Sequence, residues 1–94
     1  MTIPFTKRVS VPQNVMFREL EGESVILNID SESYFGLDDV GTRMWEVLTQ
    51  SESIQTAFET LIDEYDVQPD RLRDDLAGLI EQLAEKTLIE FNND

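Results

Sequence analysis

Residues 34–48, YFGLDDVGTRMWEVL, predict the point at which a small sheet ends and a helical region begins. The first two residues favour a strand, which breaks at Gly36. Asp38 or Asp39 can then cap a helix by accepting hydrogen bonds from its first free N–H groups. Helical spacing places four apolar residues on one stripe: Val40, Met44, Val47 and Leu48. The last strand is therefore joined directly to the helix that covers it, with one edge paired inside the sheet and the other edge free.

Two further strands are predicted before this stretch, at residues 15–20 and 24–29. The short turns at residues 21–23 and 30–32 separate them from each other and from a third strand at residues 33–36. Because short connections make successive strands neighbours, the three strands are expected to form an antiparallel meander.

The second predicted strand has two faces of different character. Its alternate residues place three apolar side chains on one face, Val25, Leu27 and Ile29. The opposite face is mixed and carries Ser24, Ile26 and Asn28. This pattern is typical of an antiparallel sheet with one packed face.

Two more helices are predicted after the first. Ser53 is a good N-cap for the second, and Pro69 favours the first turn of the third, which spans residues 69–86. The turn between them, residues 66–68, gives the pair the form of a helix-turn-helix. Residues 88–91 either close the core or pair as an extra strand. The chain is therefore predicted to have an α+β fold, a three-stranded antiparallel sheet followed by three helices, similar to a winged helix-turn-helix.

The length of 94 residues predicts one domain. Residues 1–13 contain Pro4 and Pro12, which cannot donate to a sheet ladder, so this segment is expected to be a flexible N-terminal arm or at most an edge segment. The single domain is expected at residues 14–91.

The composition excludes several classes of function. The chain has no Cys and no His, which removes disulfides, thiolate or imidazole catalysis and the usual zinc sites. We therefore expect no enzyme activity, no cofactor and no metal. No apolar run is long enough for a membrane span, and the first residues lack the apolar core of a signal peptide. A net charge of −13 disfavours nucleic acid and anionic membranes, and a cytoplasmic location is expected.

The helix-turn-helix pattern raises the alternative of DNA binding, which the charges of residues 69–86 oppose. The segment contains three basic residues: Arg71, Arg73 and Lys86. It contains five acidic residues: Asp70, Asp74, Asp75, Glu81 and Glu85. A recognition helix with this acidic excess would be repelled by the phosphates.

Residues 11–48 and 53–89 resemble the PqqD-like family. The most specific feature is a spaced pattern formed by Tyr34, Leu37, Asp38, Gly41 and Trp45. A second feature is the Tyr65-Asp66-Val67 turn before the third helix. The order and spacing of the two features together carry the resemblance, which covers most of the chain.

The resemblance implies a stand-alone RiPP recognition element, a domain that binds the leader segment of a ribosomally made precursor peptide. It implies a three-stranded sheet against three helices, with the leader added as a fourth strand along the third predicted strand, in a groove beside the third helix. It also implies a modifying enzyme as partner, either a radical SAM protein, as in pyrroloquinoline quinone biosynthesis, or a leader peptidase, as in lasso-peptide pathways.

This mode of binding selects candidate site residues. Three would offer the backbone edge: Ser33, Tyr34 and Phe35. Three would form the apolar floor of the groove: Leu72, Leu76 and Leu79. Polar contacts at its rim would come from Arg71 and Asp75. Core packing is the alternative role for each leucine, and a packed ring with a solvated hydroxyl is the alternative for Tyr34.

Two other functions agree with the same pattern. One is a winged-helix-like regulator that binds another protein, and the other is a small assembly subunit. Affinity for a leader peptide would distinguish the recognition element from both.

Overall fold

The described part of the chain, residues 4–92 of a computed structural model, contains five strands and three helices. In chain order they are β1 (Arg8–Ser10), β2 (Val15–Leu20), β3 (Glu23–Asn28), β4 (Tyr34–Leu37), α1 (Asp39–Gln50), α2 (Ile54–Glu64), α3 (Pro69–Glu85) and β5 (Glu90–Asn92). The predicted α+β fold is confirmed: β2, β3 and β4 form an antiparallel sheet in that order, and the three helices follow it.

Local chemistry sets the ends of these elements. Glu21 and Gly22 both have positive φ, 51° and 87°, which is the geometry of the two-residue turn that joins twisted strands most readily. The Asp38 side chain accepts a hydrogen bond from the Gly41 N–H, and the Ser53 side chain accepts one from Thr56. The N-cap of α1 is therefore Asp38, one of the two residues predicted for it, and the N-cap of α2 is Ser53, as predicted.

The packed face of β3 is the mixed one. Ser24, Ile26 and Asn28 are buried against the helices, whereas the apolar residues Val25 and Leu27 are exposed. The Ser24 hydroxyl shares a buried hydrogen bond of 2.8 Å with that of a residue on α1, Thr42. The buried hydroxyl of Ser24 is thus hydrogen-bonded to the helical layer, and the sheet presents its apolar face outward.

Asn28 is the most connected of these buried polar residues. Its Oδ1 accepts from the N–H groups of Asp30 and Ser31, at 3.0 and 3.1 Å. Its Nδ2 donates to the carbonyl and hydroxyl oxygens of Thr87, at 2.8 and 3.1 Å. One side chain therefore fastens the turn between β3 and β4 to the segment that follows α3.

The expected flexible arm at residues 1–13 is partly ordered in a second sheet. Residues 1–3 lie outside the described part, but β1 pairs antiparallel with β5, and Val9 is buried in the core. Leu88 and Ile89 are buried as well, so residues 88–91 both close the core and enter a strand. The stretch between the two prolines was free to pair because it keeps every backbone N–H.

The segment before β1 also completes α2. The carbonyl oxygens of Lys7 and Phe5 accept hydrogen bonds of 2.8 Å from the first N–H groups of α2, at residues 54 and 55. The Phe5 ring meets the Phe58 ring edge-on, with centroids 6.3 Å apart. The Arg73 guanidinium lies 4.4 Å from the centroid of the Phe5 ring. Two helices, α2 and α3, therefore hold this segment in place.

Replacing Phe5 by alanine tests that contribution. We expect the free energy of unfolding to fall by about 1.5 kcal/mol, because a half-buried ring and its contact with Arg73 are lost. Urea unfolding followed by the fluorescence of Trp45 would measure the change. Thr6→Ala is the matched control, since Thr6 is exposed and should change stability by no more than about 0.5 kcal/mol. Equal stability of Phe5→Ala and the parent would show that the segment contributes nothing.

An ion pair joins α1 to the end of α2. Arg43 donates from Nε and Nη2 to the two carboxylate oxygens of Glu64, at 2.9 and 2.6 Å. These hydrogen bonds lower the pKa of the Glu64 carboxyl below its usual value. The pair therefore stabilises the fold above the usual pKa of glutamate, and this contribution is lost as the pH falls through the lowered value. Both side chains are partly exposed to water, so the contribution is small.

Candidate functional site

The free edge of β4 is the first component of the site. In the described sheet β4 pairs with β3 on one side, and no described strand lies on its other side. An unpaired edge presents a row of N–H and C=O groups that can bind an extended chain. The described part of the molecule therefore carries a ready template for strand addition.

The register of the sheet decides which backbone groups point outward. The Asn28 N–H donates to the Ser33 carbonyl at 2.8 Å, so these two residues form a hydrogen-bonded pair. In an antiparallel ladder such pairs alternate with pairs that are not hydrogen-bonded. Phe35 therefore turns its backbone groups toward β3, whereas Tyr34 and Gly36 turn theirs toward the free edge.

An apolar groove runs along the inner side of this edge. It has a volume of about 470 Å³ and lies between β4, the first turns of α1, and α3. Its lining is mostly apolar, with two carboxylates: Phe35, Gly36, Leu37, Asp38, Val40, Gly41, Met44, Asp75 and Leu79. An extended peptide on β4 would direct every second side chain into it.

The close junction between β4 and α1 forms one end of the groove. Leu37, the last residue of β4, is buried, and the next residue, Asp38, caps the helix. A Cβ at Gly41 would lie 3.0 Å from Leu37 Cδ2 and 3.2 Å from Asp38 Oδ1. Any other residue here would therefore require the side chains of Leu37 and Asp38 to shift slightly.

A second depression continues the site toward the turn between α2 and α3. It has a volume of about 520 Å³, and its lining shares Asp75 with the groove. The remaining lining is Asp66, Val67, Gln68 and Arg71. The Arg71 guanidinium and the Asp75 carboxylate form an exposed ion pair of 3.7 Å. The site thus has an apolar half along β4 and a charged half along the start of α3.

The charged side chains that line the groove and the adjoining depression are Asp38, Asp66, Arg71 and Asp75. Within residues 4–92, no three acidic side chains are grouped so that they could hold a metal ion. The described helices are also too short or too polar for any of them to cross a membrane.

Comparison with known families gives a clear match. The family model of coenzyme PQQ synthesis protein D (PqqD) matches residues 23–89, which include β3, β4 and all three helices. The chain belongs to the PqqD family. The resemblance stated from the sequence is therefore confirmed. No curated protein matches the chain.

A solved structure agrees with this assignment to the PqqD family. The chain is similar to TbiB1, which was solved in complex with the TbiA(beta) leader peptide. The two are 30% identical, the match covers 86% of this chain and 94% of TbiB1, and the TM-score is 0.78. The peptide in that complex is a ligand of TbiB1.

Of the eight residues predicted for the site of this PqqD-family chain, five lie in the groove, in the adjoining depression or on the free edge of β4. Phe35, Asp75 and Leu79 line the groove, and Arg71 lies in the adjoining depression. Tyr34 turns its backbone toward the free edge, but its ring is 68% exposed on the outer side of the sheet. Tyr34 therefore offers backbone groups to the edge and leaves its ring outside the groove.

The other three predicted residues are placed differently. The Ser33 carbonyl accepts from Asn28, and the Ser33 N–H donates to the Ser31 hydroxyl at 3.4 Å, so both backbone groups are used internally. Leu72 and Leu76 are 3% and 0% exposed and belong to the core. Core packing, the alternative stated for the leucines, is thus their role in the fold.

Several residues of the site were absent from the sequence-based set. Gly36 belongs to the free edge, and Leu37, Val40 and Met44 line the groove. The apolar stripe of the first predicted helix already contained Val40 and Met44, so that stripe was an available signal. No comparable signal existed for Gly36, because its outward direction depends on the register of the ladder.

Proposed function

We propose that this protein binds the leader segment of a ribosomally made precursor peptide and presents it to a modifying enzyme. The leader lies as an additional strand on the free edge of β4, beside α3. The observation that carries this proposal is the position of the outward backbone groups of Tyr34 and Gly36 directly beside the apolar groove. Backbone pairing supplies affinity, and alternate side chains in the groove supply specificity.

Membership in the PqqD family and the similarity to a leader-bound protein support this function. The chain matches TbiB1 over most of both chains. In this chain, β4 has an open edge in the described sheet, and the groove beside it has a mostly apolar lining. A peptide is therefore the ligand that best fits the geometry.

The charges of the site select among peptides. Asp38 and Asp75 line the groove, and Asp66 lies in the adjoining depression, where Arg71 is the basic residue of the lining. The whole chain carries a net charge of −13. We therefore propose a leader whose apolar residues are flanked by lysine or arginine, because opposite charges accelerate encounter and disfavour acidic competitors.

The side chains of the protein support the proposal that a separate enzyme modifies the precursor. The chain contains neither Cys nor His, and the groove offers no nucleophile paired with a base. Chemistry on the precursor is therefore assigned to a separate enzyme, either a radical SAM protein or a leader peptidase. In this proposal the protein itself is not an enzyme, and it acts in the cytoplasm, where precursor peptides are made.

An NMR titration of the isotope-labelled protein tests the proposal. The probes are the TbiA(beta) leader peptide and binders selected from a random 15-residue peptide library. We expect the amide signals of Tyr34, Gly36 and Leu79 to shift together and to saturate. Shifts confined to other parts of the molecule, or no saturable shift with any peptide, would contradict strand addition at β4.

Leu79→Ala tests the groove. We expect the affinity for a peptide to fall about fivefold, since the half-buried side chain would lose its contact with the ligand. Leu76→Ala is the matched control, because Leu76 is fully buried three residues away on the same helix. It should lower the free energy of unfolding by about 3 kcal/mol and leave the affinity of the folded protein unchanged. Equal losses of affinity in both folded variants would show that the effect of Leu79→Ala does not come from a lost contact between Leu79 and the peptide.

A second candidate function has one observation in its favour. The outer face of the sheet exposes large apolar side chains from three strands, namely Met16, Leu20, Val25, Leu27 and Tyr34. Such a surface is typical of contacts between proteins. A winged-helix-like regulatory or assembly protein would use it without any leader. If the titration showed no peptide at β4 and a protein partner bound the outer face, this function would replace the first.

A further inference from the structure

The outer face of the sheet contains a hollow beside the free edge of β4. Its volume is about 400 Å³, and its lining includes Arg18 and Leu20 of β2, Val25 of β3 and Gly36 of β4. It opens on the outer face of the sheet, where residues 18, 25 and 36 form one cross-strand row of exposed side chains. It adjoins the groove at the end of β4, where Gly36, Leu37 and Asp38 line both.

Gly36 leaves the edge of the hollow open. A Cβ placed on Gly36 would have no heavy atom of another part of the molecule within 4 Å. Tyr34, which precedes it by two residues and shares its face, carries a large exposed ring. On its outer side, β4 therefore carries the large ring of Tyr34 and no side chain at Gly36. Gly36 lies directly opposite Val25 on β3.

A strand bound to β4 would continue this row. Its residue opposite Gly36 would pair with the outward N–H and C=O of Gly36 and would carry its side chain on the same outer face. Since Gly36 has no side chain, that residue could lie across the glycine and contact Val25 and Leu20. The residues before and after it in the peptide would point into the groove.

We propose that this hollow is a second side-chain subsite for the bound peptide and that it takes a large apolar residue, aromatic before aliphatic. Leu20, Val25 and Leu37 supply the apolar part of the lining, and Glu23, Ser24 and Asp38 supply a polar part. Arg18 forms no ion pair with any described residue, so its guanidinium is available to an aromatic ring. The inference rests on the proposed strand addition and extends it. The recognised segment carries apolar residues at two consecutive positions, one for each face of the sheet, instead of at alternate positions only.

Gly36→Val provides a block on the outer face. The valine keeps the N–H and C=O of residue 36, favours a strand, and adds a side chain whose Cβ has no heavy atom within 4 Å outside the neighbouring residues. The probe is a synthetic peptide selected on the wild-type protein from a random 15-residue library and shown by NMR to shift the amides of Tyr34 and Gly36. Each of its residues is replaced by serine in turn, and every peptide is measured on both proteins.

The expected result is a pair of adjacent sensitive positions. On the wild-type protein, serine at either position weakens binding about tenfold or more. On Gly36→Val the parent peptide binds about tenfold more weakly, and serine at the outer position has no further effect, whereas serine at the groove position still does. Gly36→Ala should give a smaller loss in the same direction and serves as the second variant if Gly36→Val is unfolded.

Three results would overturn the inference. Peptides that shift the β4 amides but tolerate serine at the outer position, and bind Gly36→Val as tightly as the wild type, would leave strand addition standing without the second subsite. A change in sedimentation mass on Gly36→Val, with peptide affinity unchanged, would assign the hollow to a second copy of the chain. A library that yields no peptide acting at β4 would remove strand addition and the subsite together.

Discussion

Replacing Tyr34 by proline is expected to lower the affinity for a leader peptide about 100-fold while the domain stays folded. Proline removes the N–H that Tyr34 turns toward the free edge and places its ring where the bound strand must lie. A proline at a position that needs its N–H costs about 3 kcal/mol, which corresponds to about two factors of ten in affinity. The ladder to β3 is spared, because the backbone groups of Tyr34 do not enter it.

Tyr34→Val separates the role of the N–H from the role of the ring. It removes the same aromatic side chain but keeps the N–H and a strand-favouring residue. Fluorescence anisotropy with a labelled peptide should show at least about a tenfold difference between the two variants. Similar affinities for Tyr34→Pro and Tyr34→Val would rule out pairing at this residue. Proline at Phe35 would be a poor test, because Phe35 bonds to β3 and its replacement would damage the sheet itself.

Asn28→Asp is expected to lower the free energy of unfolding by about 3 kcal/mol. The carboxylate can still accept from the N–H groups of Asp30 and Ser31, but it can no longer donate to the Thr87 carbonyl. The Thr87 carbonyl oxygen would then face a carboxylate at hydrogen-bond distance, and a charge at the buried position 28 without a donor from Thr87 is costly. Urea unfolding monitored by Trp45 fluorescence would measure the loss.

Asn92→Asp is the control for this prediction. Asn92 is exposed, and its Nδ2 donates to the Ser10 hydroxyl at 3.0 Å, so the same chemical change removes a solvated hydrogen bond. It should alter stability by no more than about 0.5 kcal/mol. If Asn28→Asp were as mild as Asn92→Asp, the buried amide would not fasten the end of the sheet to the segment after α3.

The elements that the sequence predicted correctly are those that short-range chemistry determines. A two-residue turn at Glu21-Gly22, side-chain caps at Asp38 and Ser53, and a proline in the first turn of α3 each act within a few residues. The three-stranded sheet and the three helices follow from such signals. Element boundaries shifted by only one or two residues, as at β4, which begins at Tyr34 instead of Ser33.

Features that depend on distant partners could not be predicted in the same way. The alternation in β3 showed that one face is packed, but the choice of the mixed face depends on Thr42 and Thr87, which bond to Ser24 and Asn28 from other elements. The pairing of β1 with β5 joins segments from opposite ends of the domain, each only three residues long. Neither segment carries a sequence pattern that indicates the strand with which it pairs.

The candidate site shows the same division between features that local sequence determines and features that depend on distant partners. Leu79 lines the groove, whereas Leu72 and Leu76, which share its helical periodicity, are buried in the core. A helical stripe does not show where the core ends and an open groove begins. Gly36 could be found only from the hydrogen-bond register, which the structure supplies through the bond from Asn28 to Ser33.

The two-stranded sheet has a consequence for protein engineering. Because Arg8 lies opposite Asn92 and both are exposed, β1 and β5 bring an early and a late position of the chain together at the surface. A domain with adjacent entry and exit points can be spliced into a surface loop of an unrelated host by two short linkers, without stretching either protein. Inserted in this way beside the active site of a modifying enzyme that has no recognition domain, the domain would bind substrates fused to the proposed leader peptide and hold them near the catalyst.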